Sequence, residues 1–319
     1  MGLSTQDTVF VMIMYVLSAC GFVLNSLLLF LIIFKSPLHL TPYKIFLADT
    51  AITQLLASIV YMLLSPRILS TGFNIIVIYL GPSQYLGQVT CYMLYTTMLH
   101  LSINAFMSWL VSMIYRYMSV KLIEVGPGSV FLMCAAAYVI PISMVATSVN
   151  LQTSNNATEA DVLTHHVIPE MTSYRMVITA DVRQAGILYS ILCCSALVIP
   201  IYITILVCRR KIYTQLQSVS HSPQTKLNVQ RLVKALTMQS LIPVVAIFPP
   251  VTAYLLLQFD LIGVSIPSYL IAPCASIGPL LDPVITTYYV YPYRMFVERH
   301  VLRWKEESAK VQQRTSNAA

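Results

Sequence analysis

Asp49 and Asp282 are the acids that lie deep inside apolar stretches of this 319-residue chain, in the contexts LADT and LLDP. Two carboxylates that share one proton at close range can hydrolyse peptides. Neither context resembles an intramembrane protease motif. A lysine in the last apolar stretch could carry a Schiff base, but residues 267–289 contain none. The cysteines are Cys20, Cys91, Cys134, Cys193, Cys194, Cys208 and Cys274. They form no CxxC pair and no Cys/His set with zinc spacing. Most lie in apolar tracts, where cysteine behaves as a small hydrophobe. No constellation supports an enzyme, a metal or a cofactor.

The acids then read as parts of a polar cluster. Asn25, Asp49 and Asp282 fall at similar depth by residue counting, and a shared site with water or a cation would satisfy all three. A charged side chain at the centre of a bilayer costs at least ~2.5 kcal/mol, so an acid kept there suggests a function. The alternative is that each acid is protonated and packed separately. Arg116 raises a related question. It sits between Tyr115 and Tyr117, and residues 68–115 before it contain no Asp, Glu, Lys or Arg. It is either an interfacial anchor with flanking tyrosines or a switch facing a helix bundle.

These residues have to be positioned by elements that lipid permits. The chain is 57% hydrophobic and 10% charged, with a mean hydropathy of +0.73; soluble domains carry about 25% charged residues. Only helices or closed barrels satisfy the backbone in lipid. Barrel strands alternate apolar and polar residues over about ten positions, whereas these tracts are longer and apolar all round. A span needs about 20 residues. The expected fold is therefore an all-α seven-helix membrane bundle, with spans at about 9–34, 43–65, 89–115, 129–149, 185–208, 235–257 and 267–289. An eighth span is a lesser alternative. Residues 68–88 read as a loop that touches the membrane, because the run Phe73–Leu80 is too short to cross before Gly81-Pro82. The first span serves as its own insertion signal, being too long for a signal-peptide core. No internal repeat supports an inverted-repeat transporter.

Lysine and arginine set the expected orientation. With the N-terminus outside, the outer segments hold Arg67, Arg175 and Arg183, and the inner segments hold the other sixteen of nineteen. The net charge of +7 then reads as attraction to cytoplasmic lipid and partners. No basic stripe with interleaved aromatics points to nucleic acid. Asn156-Ala157-Thr158 is a glycosylation triplet in the loop 150–184, which this orientation places outside. Prolines 243, 249 and 250 in the sixth span and 267, 273, 279 and 283 in the seventh remove helical hydrogen bonds and favour kinks. The receptor domain is expected over 1–292. Tyr293, Val297, Val301 and Trp304 recur at helical spacing, so 293–319 reads as an amphipathic inner-leaflet helix followed by a polar, disordered tail.

Seven spans, an arginine closing the third and a polar–proline motif in the seventh resemble G-protein-coupled receptors. Against the rhodopsin-like pattern, Asn25 is similar to the first-span asparagine and FLADT to the second-span motif, with Asp49 shifted. Tyr115-Arg116-Tyr117 lacks the usual acid. Asp282-Pro283 followed by Tyr288 alters the last motif's spacing, and the sixth span lacks CWxP. The chain more closely resembles the nematode serpentine chemoreceptors, class D. The segments that carry the likeness are LNSLLLFLIIFKSP, CYMLYTTMLHLS, YRY, LVKALTMQSLIPVVAIFPP and LLDPVITTYYVYPYR.

The resemblance implies a receptor for a small odorant or pheromone, in the plasma membrane of sensory-neuron cilia, coupled to a heterotrimeric G protein. The expected ligand contacts are Tyr95, Met98, Leu99 and Ser102 on the third span, Tyr189 and Cys193 on the fifth, Tyr254 on the sixth and Tyr269 on the seventh. Helix packing is the alternative use of each. The expected coupling residues are Arg116, Tyr115, Tyr117, Lys226, Arg231 and Lys234. Many such receptors tie the third span to the second outer loop by a disulfide. Cys91 is suitably placed, but residues 150–184 contain no cysteine, so Cys91 is either free or paired with Cys274. The rival functions are a ligand-gated cation channel of the insect odorant-receptor type, whose inside N-terminus the charge count opposes, and a transporter.

Overall fold

The structure, a computed structural model, describes residues 4–36, 41–71, 73–121, 123, 125–148, 173–218, 237–259, 261, 263 and 266–299. Asn156, Lys226, Arg231, Lys234, Val301 and Trp304 lie outside them. Among the described residues, seven helices are long and apolar enough to cross a membrane: α1 Thr5–Lys35, α2 Pro42–Leu64, α3 Gln88–Val120, α4 Pro127–Ser148, α5 Ala185–Gln215, α6 Thr237–Gln258 and α7 Pro267–Tyr289. A short helix, α8, follows at Tyr291–Val297.

The burial pattern of α1 shows why these helices need lipid. Its buried residues, Phe10, Met14, Ser18, Gly21, Asn25, Leu28, Leu31 and Ile32, recur every three or four positions, which makes one stripe of a 3.6-residue helix. The opposite face exposes Met12, Val16, Val23, Ile33 and Phe34. A helix apolar all round must be covered on both sides; the bundle covers one side and the bilayer the other. Gly21 is where α1 meets its neighbours, since a Cβ there would stand 2.7 Å from Ser58 Oγ of α2 and 3.6 Å from Pro279 of α7.

Proline sets the breaks. The helix of α4 is interrupted at Tyr138 and that of α5 at Ala196–Leu197, just upstream of Pro141 and Pro200. Each ring clashes with the carbonyl four residues before it and offers that carbonyl no N–H. In α6 the break falls at Ile247, two residues before Pro249. By contrast, α7 runs unbroken through Pro273, Pro279 and Pro283. At its last proline another helix supplies the missing donor. Pro283 cannot bond to the Pro279 carbonyl, and Asn25 Nδ2 of α1 donates to that oxygen at 2.8 Å.

Residues 66–79 are not a simple loop. They form a hairpin, β1 Pro66–Thr71 and β2 Asn74–Tyr79, paired antiparallel from Pro66↔Tyr79 to Thr71↔Asn74. A third strand, β3 Val177–Asp181, pairs with β2 from Asn74↔Asp181 to Ile78↔Val177. Residues Ile75 to Leu80 are all buried. A short continuous apolar run of this kind fits a strand covered on both faces; the same run is too short for a span. The sheet sits on the end of the bundle where α1 begins. Gly81 holds it there, since a Cβ would lie 2.3 Å from the Leu63 carbonyl oxygen. The largest apolar cluster joins the sheet to α1, α2, α3 and α7. At the opposite end, Tyr293 of α8 is buried against Leu28, Leu31, Ile32, Leu47 and Ala51, and its hydroxyl shares a 2.5 Å hydrogen bond with Ser36 Oγ.

Candidate functional site: a capped cavity above a polar core

A cavity of about 230 Å³ lies beneath the sheet, between α2, α3, α5, α6 and α7. The strands close its top with Ile68, Ile75, Val77, Tyr79, Ile178 and Ala180. Helix α3 supplies Tyr92, Tyr95, Met98, Leu99 and Ser102, and α6 supplies Val251 and Tyr254. Gln54, Trp109, Ala246 and Gly278 belong to its floor. None of its described lining residues is Asp, Glu, Lys, Arg or His. An apolar wall with a few polar groups is the usual character of a small-molecule pocket.

Five of the eight expected contact residues line this cavity: Tyr95, Met98, Leu99, Ser102 and Tyr254. The other three do not. Tyr189 faces α4, where its hydroxyl lies 2.6 Å from Ser143 Oγ. Cys193 packs in an apolar cluster with Ile103 and Phe106. The face of α5 that lines the cavity carries Ile187, Ser190, Ile191, Cys194 and Val198. The expected pair is displaced from it by one residue, about 100° of rotation. Tyr269 is taken up by a clasp at the sheet end.

That clasp is built on Asp7, which the sequence reading did not single out. Asp7 Oδ1 accepts from the Tyr269 hydroxyl at 2.7 Å, and Oδ2 accepts from the Tyr174 hydroxyl at 2.8 Å. Arg67 Nη1 approaches Asp7 Oδ1 at 3.4 Å, while its Nε donates to Ser268 Oγ at 3.1 Å. The guanidinium lies 3.9 Å from the centre of the Tyr269 ring. Asp7 and Arg67 are both buried. Burial and then the hydrogen bond to Asp7 push the Tyr174 phenol up to about 12, so it remains a donor. The clasp ties α1, β1, α7 and the segment before β3 together. A signal for it was present: Ser4-x-x-Asp7 is a capping box, with Ser4 Oγ accepting from Asp7 N at 3.1 Å. Arg67 faces Asp7 rather than acting as a free outer charge.

Below the floor, the expected three-residue cluster divides in two. Asp282 Oδ2 accepts from Gln54 Nε2 at 3.2 Å, and Asn25 holds the Pro279 carbonyl one turn earlier in α7. Asp49 is elsewhere. It accepts from Ser108 Oγ at 2.6 Å and from the Tyr138 hydroxyl at 3.0 Å, joining α2 to α3 and α4. The reason is azimuth. Gln54 lies five residues after Asp49, about 140° around the helix, so only one of them can face α7. Residue counting matched depth and ignored this rotation. Gln54 carries no charge, so the cost of burying a charge in lipid does not mark it out in the sequence.

At the end away from the sheet, Arg116 is buried on neutral partners. Its Nη1 donates to Gln239 Oε1 of α6 at 2.7 Å, and its Nη2 hydrogen-bonds the Tyr43 hydroxyl of α2. The guanidinium carbon stands 4.8 Å from the centre of the Tyr43 ring. Gln239 Nε2 continues to Thr286 Oγ1 of α7 at 3.4 Å, and Arg209 of α5 donates to Ser240 of α6 at 2.9 Å. Tyr115 instead packs on Tyr43 and Phe46, and Tyr117 lies under the amines of Lys121 and Lys211. The two halves meet at Trp109, which lines both the large cavity and a small void of about 20 Å³ shared with Asp282, Gln239 and Thr286. All seven cysteines are free, and buried Cys91 points its Sγ at the Ser83 carbonyl oxygen, 3.0 Å away.

The bundle therefore has an apolar cavity at one end and a buried arginine at the other. The family model described as "Serpentine type 7TM GPCR chemoreceptor Srd" matches residues 10–299. The chain belongs to the Srd family of serpentine chemoreceptors. Among its relatives in Caenorhabditis elegans, serpentine receptor class delta-32 is 40% identical over 319 residues, covering 99% of this chain and 94% of the relative. Serpentine receptor class delta-33 is 38% identical over 298 residues, covering 92% and 87%. As an Srd protein it is a multi-pass membrane protein of a chemosensory receptor family. The sheet, the clasp and the Arg116–Gln239 contact are thus features of an Srd chain.

Proposed function

We propose that this chain is a chemosensory G-protein-coupled receptor of the plasma membrane, in the cilia of sensory neurons. The N-terminus and the sheet face outside, because that orientation puts sixteen of nineteen lysines and arginines inside. A small odorant or pheromone occupies the capped cavity. The observation that carries this reading is a cavity with no charged side chain among its described lining residues, above a buried arginine that hydrogen-bonds the neutral Gln239 and Tyr43.

A ligand shifts a two-state equilibrium only by its difference in affinity between the states. Here it would act on the cavity walls contributed by α6 and α7. Ala246 and Gly278 approach closely at the floor, with 3.4 Å between the Ala246 Cβ and the position a Gly278 Cβ would take. Motion of α6 about its break at Ile247 pulls Gln239 from Arg116. The freed guanidinium, with Lys226, Arg231 and Lys234, then meets the G protein. The 48 uncharged residues before Arg116 thus end at a residue that is a latch in one state and a contact in the other.

Replacing Arg116 with alanine tests this in cells expressing a heterotrimeric G protein and challenged with an odorant panel. The expected result is lost coupling at unchanged surface level. Normal coupling would return Arg116 to an anchoring role. Tags at the two termini, stained before and after permeabilisation, check the orientation, and an endoglycosidase shift abolished by Asn156→Gln checks the outer loop.

A further inference from the structure

Most polar groups on the cavity wall are already engaged. Ser102 donates to the Met98 carbonyl and shares a 3.2 Å contact with Tyr61. Thr96 and Ser195 each donate to a carbonyl four residues back, and the Tyr254 hydroxyl donates to Gln258. Tyr79 is different. It is 1% exposed, it lines the cavity from β2, and its hydroxyl has no hydrogen-bond partner among the described residues. Gln54 Oε1 also has no partner among the described residues, but it lies at the floor beside Asp282, which the Trp109 indole approaches as well. Tyr79 stands at the opposite, capped end, where its neighbours include Tyr95, Cys91 and Tyr92.

A buried hydroxyl without a partner costs about 1–3 kcal/mol. Such groups are rare in native structures, and each calls for an explanation. A ligand that supplies an acceptor removes the penalty on binding, and the gain depends on the ligand's having that atom. Burial, followed by the nearby Tyr95, holds the Tyr79 phenol well above its ordinary range, so it remains an O–H donor. With no ionised side chain among the described lining residues, a carboxylate or an ammonium would enter unpaired, at a far higher cost than a neutral group.

We propose that the cavity takes a neutral molecule with an apolar body and a hydrogen-bond-accepting oxygen, and that the Tyr79 hydroxyl of the capping sheet donates to that oxygen and selects for it. This rests on the receptor reading only in assuming that the cavity binds ligand. Tyr79 is a specificity residue contributed by the cap rather than by a membrane helix.

The test uses the full chain in lipid nanodiscs and four probes matched in length: methyl hexyl ketone, octane, octanoate and octylamine. Binding is read as stabilisation against heat over a concentration series, with wild type beside Tyr79→Phe. The ketone should bind wild type best and the two ions should not bind. In Tyr79→Phe the ketone should lose about five- to tenfold in affinity, the value of one hydrogen bond, while octane is unchanged. The unliganded variant should melt at or above the wild-type temperature, because it has lost a buried unpaired hydroxyl. A purely structural tyrosine would do the reverse, and a lower melting point in the unliganded variant overturns the proposal. So does equal ketone affinity in the two proteins, or preference for octanoate or octylamine. If no probe stabilises wild type, the ligand class is wrong. Arg116-dependent coupling is measured separately, so that result leaves the receptor reading intact.

Discussion

Arg116 is a buried charge whose hydrogen bonds go to the neutral side chains of Gln239 and Tyr43, with the Asp282 carboxylate acting on it from further off. A hydrogen bond to a charged group contributes about 1.5–3 kcal/mol, so losing the 2.7 Å contact with Gln239 favours the open state. We expect Gln239→Ala to raise basal nucleotide exchange by about tenfold, the equivalent of ~1.4 kcal/mol. The assay is exchange on a purified G protein with receptor in nanodiscs and no ligand. In an Arg116→Ala background the same substitution should do nothing, because Gln239 acts through the arginine. An equal rise in both backgrounds would separate Gln239 from the latch. The amides Gln54 and Gln239 were visible in the sequence as uncharged polar residues in apolar tracts, but no spacing rule says which helix each one faces.

The elements show how broken hydrogen bonds are met. Helix α7 survives Pro283 because Asn25 of α1 bonds the Pro279 carbonyl. Asn25→Ala leaves that buried carbonyl unpaired and should cost about 1–3 kcal/mol, read as a lower melting temperature in detergent. Pro283→Ala restores an N–H within α7. The asparagine substitution should therefore cost much less in a Pro283→Ala chain, and a double-mutant cycle should show coupling of about 1 kcal/mol. Additive effects would mean that Asn25 serves some other group. Prolines alone did not predict the outcome: Pro141 and Pro200 break α4 and α5, while three prolines leave α7 continuous. What differs at Pro283 is a donor from a neighbouring helix, and that is a tertiary fact. The cap was equally hidden. Its central strand is the run Asn74–Tyr79, and its third strand comes from a segment about a hundred residues away, so no local pattern could announce the sheet.

For the whole molecule, the clasp decides how firmly the sheet closes the bundle. Removing one partner of a buried ion pair costs about 3–5 kcal/mol, because the other charge is left uncompensated. Arg67→Met should destabilise the receptor by that order and speed amide exchange in β1, β2 and β3 together. Adding Asp7→Asn to Arg67→Met should recover much of the loss, since no uncompensated charge then remains. Hydrogen exchange with mass spectrometry reads both effects; unchanged protection of the sheet in Arg67→Met would show that apolar packing alone holds the cap.

The amino-acid sequence by itself determined the solvent, the number of helices and the family. Apolar content, tract length and motif likeness are local or additive properties, and they need no knowledge of which helix meets which. Tertiary structure alone decided that Asp49 and Asp282 serve separate contacts, that Tyr189, Cys193 and Tyr269 turn away from the cavity, and that Tyr79 turns toward it. Those outcomes depend on rotation about helix axes and on pairing between distant segments. A turn of 100° moves a side chain from one neighbour to another while leaving hydropathy and depth unchanged.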